Sequence, residues 1–209
     1  MIIAFCGKAG AGKSQLSDYI CTEYMAHPVA FADPLRMMVA PLAFMLAHGD
    51  QEQANHILYD GKDAKLPIVK TSSRQLYREF GDVMRKHSPD VFVNLTGLKI
   101  EMVKNYYKKK TIDPGFDVPI IIDDLRYNNE AKWVKDNGGT VIKINRPEGQ
   151  LRNVPQHNSE NGIDDEFVDY EIDNDGALIE LKSTAEAIAQ MYDLQRGSLV
   201  DHEETSSVH

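Results

Sequence analysis

Met1-Ile-Ile-Ala-Phe-Cys6 runs straight into Gly7-Lys-Ala-Gly-Ala-Gly12-Lys13-Ser14, and this junction decides how the rest of the chain is read. An apolar run stops at a glycine, and Gly7, Gly12, Lys13 and Ser14 fit the G-x-x-x-x-G-K-[ST] phosphate loop. Gln15 to Met25 continues with Leu16, Tyr19, Ile20 and Tyr24 at helical spacing, so the loop is expected to join a strand to a helix. Each residue type has a task. The glycines let the backbone turn tightly, so that N–H groups converge on phosphate oxygens. The helix adds its own N–H groups and the positive end of its dipole. Lys13 can reach the β- and γ-phosphates, and the Ser14 hydroxyl can ligate Mg²⁺. An ordinary glycine-rich turn matches these four positions by chance in only about one chain of this length in a hundred at average glycine usage.

Composition sets the frame around that loop. The chain has 209 residues, enough for one α/β domain, or a core with a helical insertion, to bury a sizeable interior. Its 42% hydrophobic and 26% charged residues are those of a soluble globular chain. No apolar run approaches the ~20 residues that span a bilayer. Met1 leads directly into the first strand, so no signal peptide is expected, and the predicted placement is cytoplasmic, in the host cell if the chain is viral. Cys6 and Cys21 have no metal-like spacing and read as buried free thiols. The net charge of −9 argues against a broad DNA- or RNA-binding surface, leaving small nucleotides as the expected partners, with no membrane.

Outward from the loop, five apolar runs read as buried parallel strands: Ile2–Cys6, Val29–Ala32, Val118–Asp123, Thr140–Asn145 and Val168–Asp173. Helical patterns separate them, which predicts an α/β fold with a doubly wound, five-stranded parallel sheet and ligands at the strands' carboxyl ends. Pro34 to Ala47 reads as a helix with Asp33 as N-cap, kinked or broken at Pro41. A helix is expected at Gln51–Leu58, another from a capping box at Ser72 towards His87, and a third after Ser88-Pro89. The last carries Val91, Leu95, Leu98 and Met102 on one stripe and ends at Lys108-Lys-Lys110. Gly138-Gly139 ends a further helix, and a capping box at Ser183 signals the final one towards Leu194. The expected organisation is one domain over 1–195: a core of 1–49 and 111–195, a substrate-covering helical insertion at about 50–110, and a lid loop at about 146–165. The polar stretch 196–209 reads as a disordered tail.

Several charged residues fall where chemistry is expected. Asp123 and Asp124 follow Ile120-Ile-Ile122, where a carboxylate helps hold Mg²⁺ beside the loop serine. Arg126 either clamps a phosphate or pairs with Glu130, four residues on. Asp33, at the end of the second strand, faces the acceptor side of such a sheet, as helix cap or substrate ligand. Arg74, Arg78 and Arg85 share a helix face that is either solvated or anion-binding. Arg146 and Arg152 flank the lid, with His157 inside it. Trp133 reads as packing. Met37, Met38 and Phe44 make a candidate homodimer face.

The phosphate loop, Phe31-Ala-Asp-Pro-Leu35, Asp124-Leu-Arg126-Tyr-Asn-Asn-Glu130, Arg146-Pro147, His157-Asn-Ser-Glu160 and Asn174-Asp-Gly176 stand in one order. That order resembles the phage-type deoxynucleoside monophosphate kinases, a branch of the P-loop nucleotide kinases, from about Ile2 to the final helix. The resemblance implies transfer of the γ-phosphate of ATP to a (deoxy)nucleoside monophosphate, with Mg²⁺ as cofactor. It implies catalytic roles for Lys13, Arg126 and Asp33. ATP would be bound by Gly7, Lys8, Ala9, Gly10, Ala11, Gly12, Lys13, Ser14, Gln15 and Arg146, with Asn174 beside the adenine. The acceptor would meet Asp33, Lys62, Arg74, Arg85, Arg126, Glu130, Arg152 and His157, and Mg²⁺ would meet Ser14 and Asp124. The family often has Phe-Pro where this chain has Tyr127-Asn128, and the residue before Asp124 is itself acidic here. The choice of magnesium carboxylate between Asp123 and Asp124 therefore stays open.

Two alternatives share the loop. One is another small-molecule P-loop kinase, such as a dephospho-coenzyme-A kinase, for which Asp33 would be an essential base. The other is a non-kinase NTP-binding regulator. No Asn-Lys-x-Asp guanine-reading segment is present, which counts against a GTPase switch.

Overall fold

Short apolar segments pair into one parallel sheet in the order β2-β3-β1-β4-β5. Its strands are β1 Ile2–Cys6, β2 His27–Val29, β3 Ile120–Ile122, β4 Thr140–Asn145 and β5 Tyr170–Asp173. The computed structural model describes residues 1–59, 61–66, 68–111, 115–147, 162–175 and 178–197, with backbone alone at 178 and 179. The helices are α1 Lys13–Glu23, α2 Asp33–Leu46, α3 Gln51–Leu58, α4 Ser73–His87, α5 Val91–Lys110, α6 Asn128–Asp136 and α7 Leu178–Met191. Contacts divide the chain into two units, one of 1–31 with the described residues from 97 onward, the other of 32–96. Among the described residues no helix is long and apolar enough to cross a membrane.

In the sheet unit, β1 lies centrally, with Ile3 beside Ile121 and Thr140, so both of its faces are buried. Ile3, Phe5, Ile121, Ile142 and Ile144 pack with Leu16, Ile20 and Cys21 of α1 and Leu181, Ala185 and Ile188 of α7. The alternate residues Ile2, Ala4, Ile120, Ile122 and Val141 are equally buried, as the period-two pleat requires when both faces are covered. Trp133 packs edge-on to Phe31, the packing role expected of it. Burial pushes the Cys6 thiol up to about 11 and that of Cys21 up to about 12, so both remain neutral core groups.

The edge strands differ from expectation. β2 is His27–Val29, not Val29–Ala32, and Pro28 is tolerated because an edge strand need not donate on its outer side. Ala30 and Phe31 are buried, but in the turn that follows. β3 is trimmed to the three isoleucines. β5 begins at Tyr170, after a 3₁₀ turn at Asp165–Phe167, and is largely exposed instead of buried because only β4 pairs with it.

Helix ends show similar shifts. The backbone is already helical at Ala32, so Ala32 takes the cap position and Asp33 opens the helix instead of capping it. Pro41 neither breaks nor ends α2; it is exposed, where water can satisfy the carbonyl that a proline leaves without a donor. Ser72 does cap α4, its hydroxyl accepting the Gln75 N–H at 3.2 Å, while the Gln75 side chain turns to Glu79. In α5, Leu98 and Met102 are 58% and 61% exposed, and the buried stripe is Phe92, Val93, Thr96, Ile100 and Tyr107. Ser183 lies inside α7, which starts five residues earlier at Leu178. Arg196, assigned by composition to the tail, forms a β-bridge with Tyr24 and pairs with Glu186 at 3.2 Å.

The unit of residues 32–96 has its own apolar centre. Val39, Ala43 and Ala47 of α2 pack with Ala54 and Leu58 of α3, Leu66 and Leu76. Asp50 caps α3 by accepting the Gln53 N–H at 2.8 Å. Met37, Met38 and Phe44 are exposed on α2.

Candidate active site

Residues 7–12 form a turn between β1 and α1 that only glycines allow at three places. Gly7, Gly10 and Gly12 have φ of 132°, 85° and 102°. The loop's carbonyls are held by donors from several directions. Lys13 Nζ donates to the Gly7 and Lys8 oxygens at 2.7 and 2.9 Å, and the Ala11 N–H donates to Lys8 O at 3.1 Å. An Arg146 guanidinium nitrogen reaches Gly10 O at 3.2 Å, and Asn174 Nδ2 reaches Ala11 O at 2.8 Å. Ser14 and Gln15 are exposed in the first turn of α1, and Gln15 lines a shallow groove of about 350 Å³ with Asp18, Tyr19, Thr22, Leu181 and Lys182. Lys8, Ala9 and Gly10 complete the loop between them. The loop expected from sequence thus turns directly into the N-terminus of α1.

Asn174, expected beside the adenine, is held against the loop. It is buried at 7% exposed, and its amide is directed to the loop backbone. β5 ends beside β4, and the Asn174 N–H donates to Asn145 O at 2.7 Å, which fixes the side chain beneath the loop.

The end of β3 carries the expected acidic and basic groups in distinct settings. Asp124 Oδ1 accepts the Phe31 N–H at 2.8 Å, clasping the turn after β2 to the end of β3. Asp123 is felt by α1: desolvation first, then repulsion from Asp123, pushes the Asp18 carboxyl up from its usual range. Asp18 stands one helical turn beyond Ser14. Ser14 and these carboxylates are hard oxygen donors of the kind Mg²⁺ takes in ones and twos, keeping water and phosphate for its other positions. Among the described residues no three His, Cys, Asp or Glu side chains converge on one point.

Glu130, expected as a substrate ligand, holds backbone N–H groups beside Arg126. It is 3% exposed, and one carboxylate oxygen accepts the backbone N–H groups of Arg126 and Tyr127 at 2.9 and 3.1 Å. These are N–H groups at the start of α6, which has no earlier turn to satisfy them. The charge thus fixes the backbone from which Arg126 projects. Glu130→Ala is expected to lower stability by about 2–3 kcal/mol, while Glu130→Gln, which keeps an acceptor oxygen, loses well under half of that. Urea denaturation of both variants checks this. Equal losses would mean that the oxygen is not what matters.

The unit of residues 32–96 holds the other expected residues, described by itself. Asp33 accepts a hydrogen bond from Arg36 at 2.6 Å, and the Arg36 guanidinium lies 5.5 Å from the centre of the Tyr59 ring. Arg36 escaped the sequence reading; its only mark is the three-residue spacing from Asp33 on a helix. Arg74 grips Asp63 with two nitrogens, and its backbone N–H donates to Lys62 O at 2.9 Å. That hydrogen bond first, with Lys62 and Arg78 adding to it, holds the Asp63 carboxyl below the usual range. Arg85 lies over the Phe92 ring at 4.7 Å and fills the space above buried Gly81, where a Cβ would come within 2.9 Å of its guanidinium. So Arg74 and Arg85 are both steered, by a carboxylate and by a ring respectively. Arg152 and His157 lie outside the described residues, as does most of the expected lid; Arg146 at its base is described.

A phosphate loop between the central strand and the first helix of a five-stranded parallel α/β sheet defines a P-loop nucleotide-binding protein of kinase type. The comparisons with known proteins narrow this class. Residues 82–185 match the model of the family described as deoxynucleotide monophosphate kinase. The chain is also 26% identical over 155 residues to a protein of Acanthamoeba polyphaga mimivirus provisionally named a deoxynucleotide monophosphate kinase, a match covering 70% of this chain and 75% of that one. A dephospho-CoA kinase from Campylobacter jejuni superposes with a TM-score of 0.40 at 14% identity, covering 91% of this chain and 96% of that one. The family match and the viral relative support a deoxynucleoside monophosphate kinase of the P-loop type, an enzyme that transfers phosphoryl groups.

Proposed function

We propose that this protein transfers the γ-phosphate of ATP to a (deoxy)nucleoside monophosphate, giving the diphosphate and ADP and supplying precursors for DNA synthesis. One observation carries the reading: the match to the kinase family spans 82–185 and includes Arg85, Asp124, Arg126 and Glu130, while the phosphate loop stands outside it as an independent donor feature. In the reaction an ionised phosphate oxygen of the acceptor attacks the γ-phosphorus, and the bond from that phosphorus to the β–γ bridging oxygen breaks. The nucleophile carries no proton to remove, so no strong base is required.

The chain's own residues position and neutralise. Lys13 leaves the Gly7 and Lys8 carbonyls to meet the β- and γ-phosphates. Arg126, on a backbone held by Glu130, offsets charge on the transferred group. Arg146 serves the donor side, joined by Arg152 and His157 when the lid excludes water. Asp33, tied to Arg36, orients the acceptor instead of taking a proton, and Lys62, Arg74 and Arg85 meet its phosphate. Ser14 with Asp123 or Asp124 would hold Mg²⁺, which when bound neutralises the β- and γ-oxygens. The clasp of Asp124 to Phe31 favours Asp123.

Purified protein with ATP and Mg²⁺, offered a panel of ribo- and deoxynucleoside monophosphates and dephospho-coenzyme A, tests this by ADP release. ADP formed only with nucleoside monophosphates is the expected result. No acceptor-dependent ADP would sink the proposal, and turnover with dephospho-coenzyme A alone would replace it.

A further inference from the structure

Within the donor site just proposed, and resting on that reading, one residue has a task that nucleotide contact does not describe. Asn174 follows the last strand, 163 residues from the carbonyl it binds. Its Nδ2 donates to Ala11 O at 2.8 Å, a buried hydrogen bond, and its backbone N–H is anchored to Asn145 O. Gly12 is the residue that lets the amide come so close, because a Cβ there would lie 2.4 Å from Nδ2. The Ala11–Gly12 peptide is planar and trans, so its N–H points opposite to its C=O. Holding Ala11 O against Asn174 therefore turns the Gly12 N–H away from Asn174, to the other side of the loop. Gly12, at φ 102°, is the last loop residue before α1, and the dipole end of that helix lies directly behind this N–H.

We infer that Asn174 is a positioning residue for the phosphate cradle: it sets the Ala11–Gly12 peptide so that the Gly12 N–H faces the triphosphate, and it does not read the adenine. Arg146 on Gly10 O works on the neighbouring peptide, so the ends of β4 and β5 together preset the loop. A cradle set before the ligand arrives need not be ordered on binding, and that saving goes into affinity.

The experiment separates cradle from base. Wild type, Asn174→Ala and Asn174→Asp are titrated calorimetrically with ATP and with inorganic tripolyphosphate, both with Mg²⁺, and their thermal unfolding is recorded. Asn174→Ala is expected to weaken ATP and tripolyphosphate alike, by about tenfold, because a buried carbonyl loses its donor. Asn174→Asp, which keeps the side-chain volume, weakens both further by setting a carboxylate against Ala11 O. Amide exchange at Gly12 in the wild-type protein should slow when tripolyphosphate is added, a readout that needs no variant. A loss confined to ATP would assign Asn174 to the adenine and overturn the inference. So would folded variants that bind both ligands normally, or Gly12 exchange indifferent to tripolyphosphate. A wild-type protein that binds neither ligand would bring down the donor-site reading, and this inference with it.

Discussion

Lys13→Ala is expected to lower kcat/KM for phosphoryl transfer by about 10³-fold or more while leaving the fold intact. Phosphoryl transfer asks little covalent chemistry of a protein, so charge placed against the transferred group accounts for most of the rate. The Lys13 ammonium is the motif's own charge, and it lies against the loop at 2.7 Å from Gly7 O and 2.9 Å from Lys8 O. Its removal costs two surface-accessible hydrogen bonds to carbonyls that water can replace, so the unfolding midpoint should move little. Most of the loss should fall in kcat and in the KM for ATP, with the KM for acceptor nearly unchanged, since Lys13 serves the donor. Lys13→Arg should not rescue, because a planar fork does not fit a seat shaped for a compact ammonium. Steady-state kinetics with each substrate varied in turn decides it. A Lys13→Ala enzyme within tenfold of wild type would remove the loop lysine from the transition state.

What the sequence makes legible follows from where the determining contacts lie. β1 is buried along its whole length and β4 at Val141, Ile142 and Ile144, so in both the apolar residues lie within the paired segment. β2 and β5 are edges; for them the apolar run and the paired segment are different things, as Val29–Phe31 illustrates. The stripe on α5 is ambiguous because its first half is apolar nearly all the way round: Val91, Phe92, Val93, Leu95 and Leu98 offer two periodic faces, and tertiary packing alone chooses between them. The donor loop is legible because its task resides in consecutive residues. Glu130 is half legible: its spacing from Arg126 marks a partnership, but not that its carboxylate accepts the backbone N–H groups of Arg126 and Tyr127. The hold of Asn174 on Ala11 and the seating of Arg85 above Gly81 rest on close approach in space, for which spacing leaves no trace.

Gly7→Ala is expected to destabilise the protein by about 4 kcal/mol, and the reason is the neighbouring strand, not the phosphate. Two costs combine. At φ 132° any residue with a Cβ is strained, by about 1–3 kcal/mol. The added carbon would also lie 2.3 Å from the Ile144 carbonyl oxygen of β4, with the Ile144 carbonyl carbon and nitrogen within 3.3 and 3.4 Å. A side-chain end could swing aside, but this oxygen belongs to the ladder in which Cys6 pairs with Lys143, so relief means parting β1 from β4 at the centre of the sheet. Overpacking of that kind costs about 1–3 kcal/mol further. Against a total stability of about 5–15 kcal/mol, the loss should lower the melting temperature by roughly 10 °C. Gly138→Ala makes the control, since Gly138 also has positive φ, at 70°, yet nothing lies within 4 Å of its would-be Cβ. It should cost only the backbone strain, about 1 kcal/mol. Thermal and urea unfolding of the two variants side by side isolates the steric part, and equal losses would show that the approach of Gly7 to Ile144 is looser than these distances. Ligand-bound stability adds a further discriminator. Saturating ATP restores little in Gly7→Ala, because the distorted strand end is the one that carries the loop into its cradle.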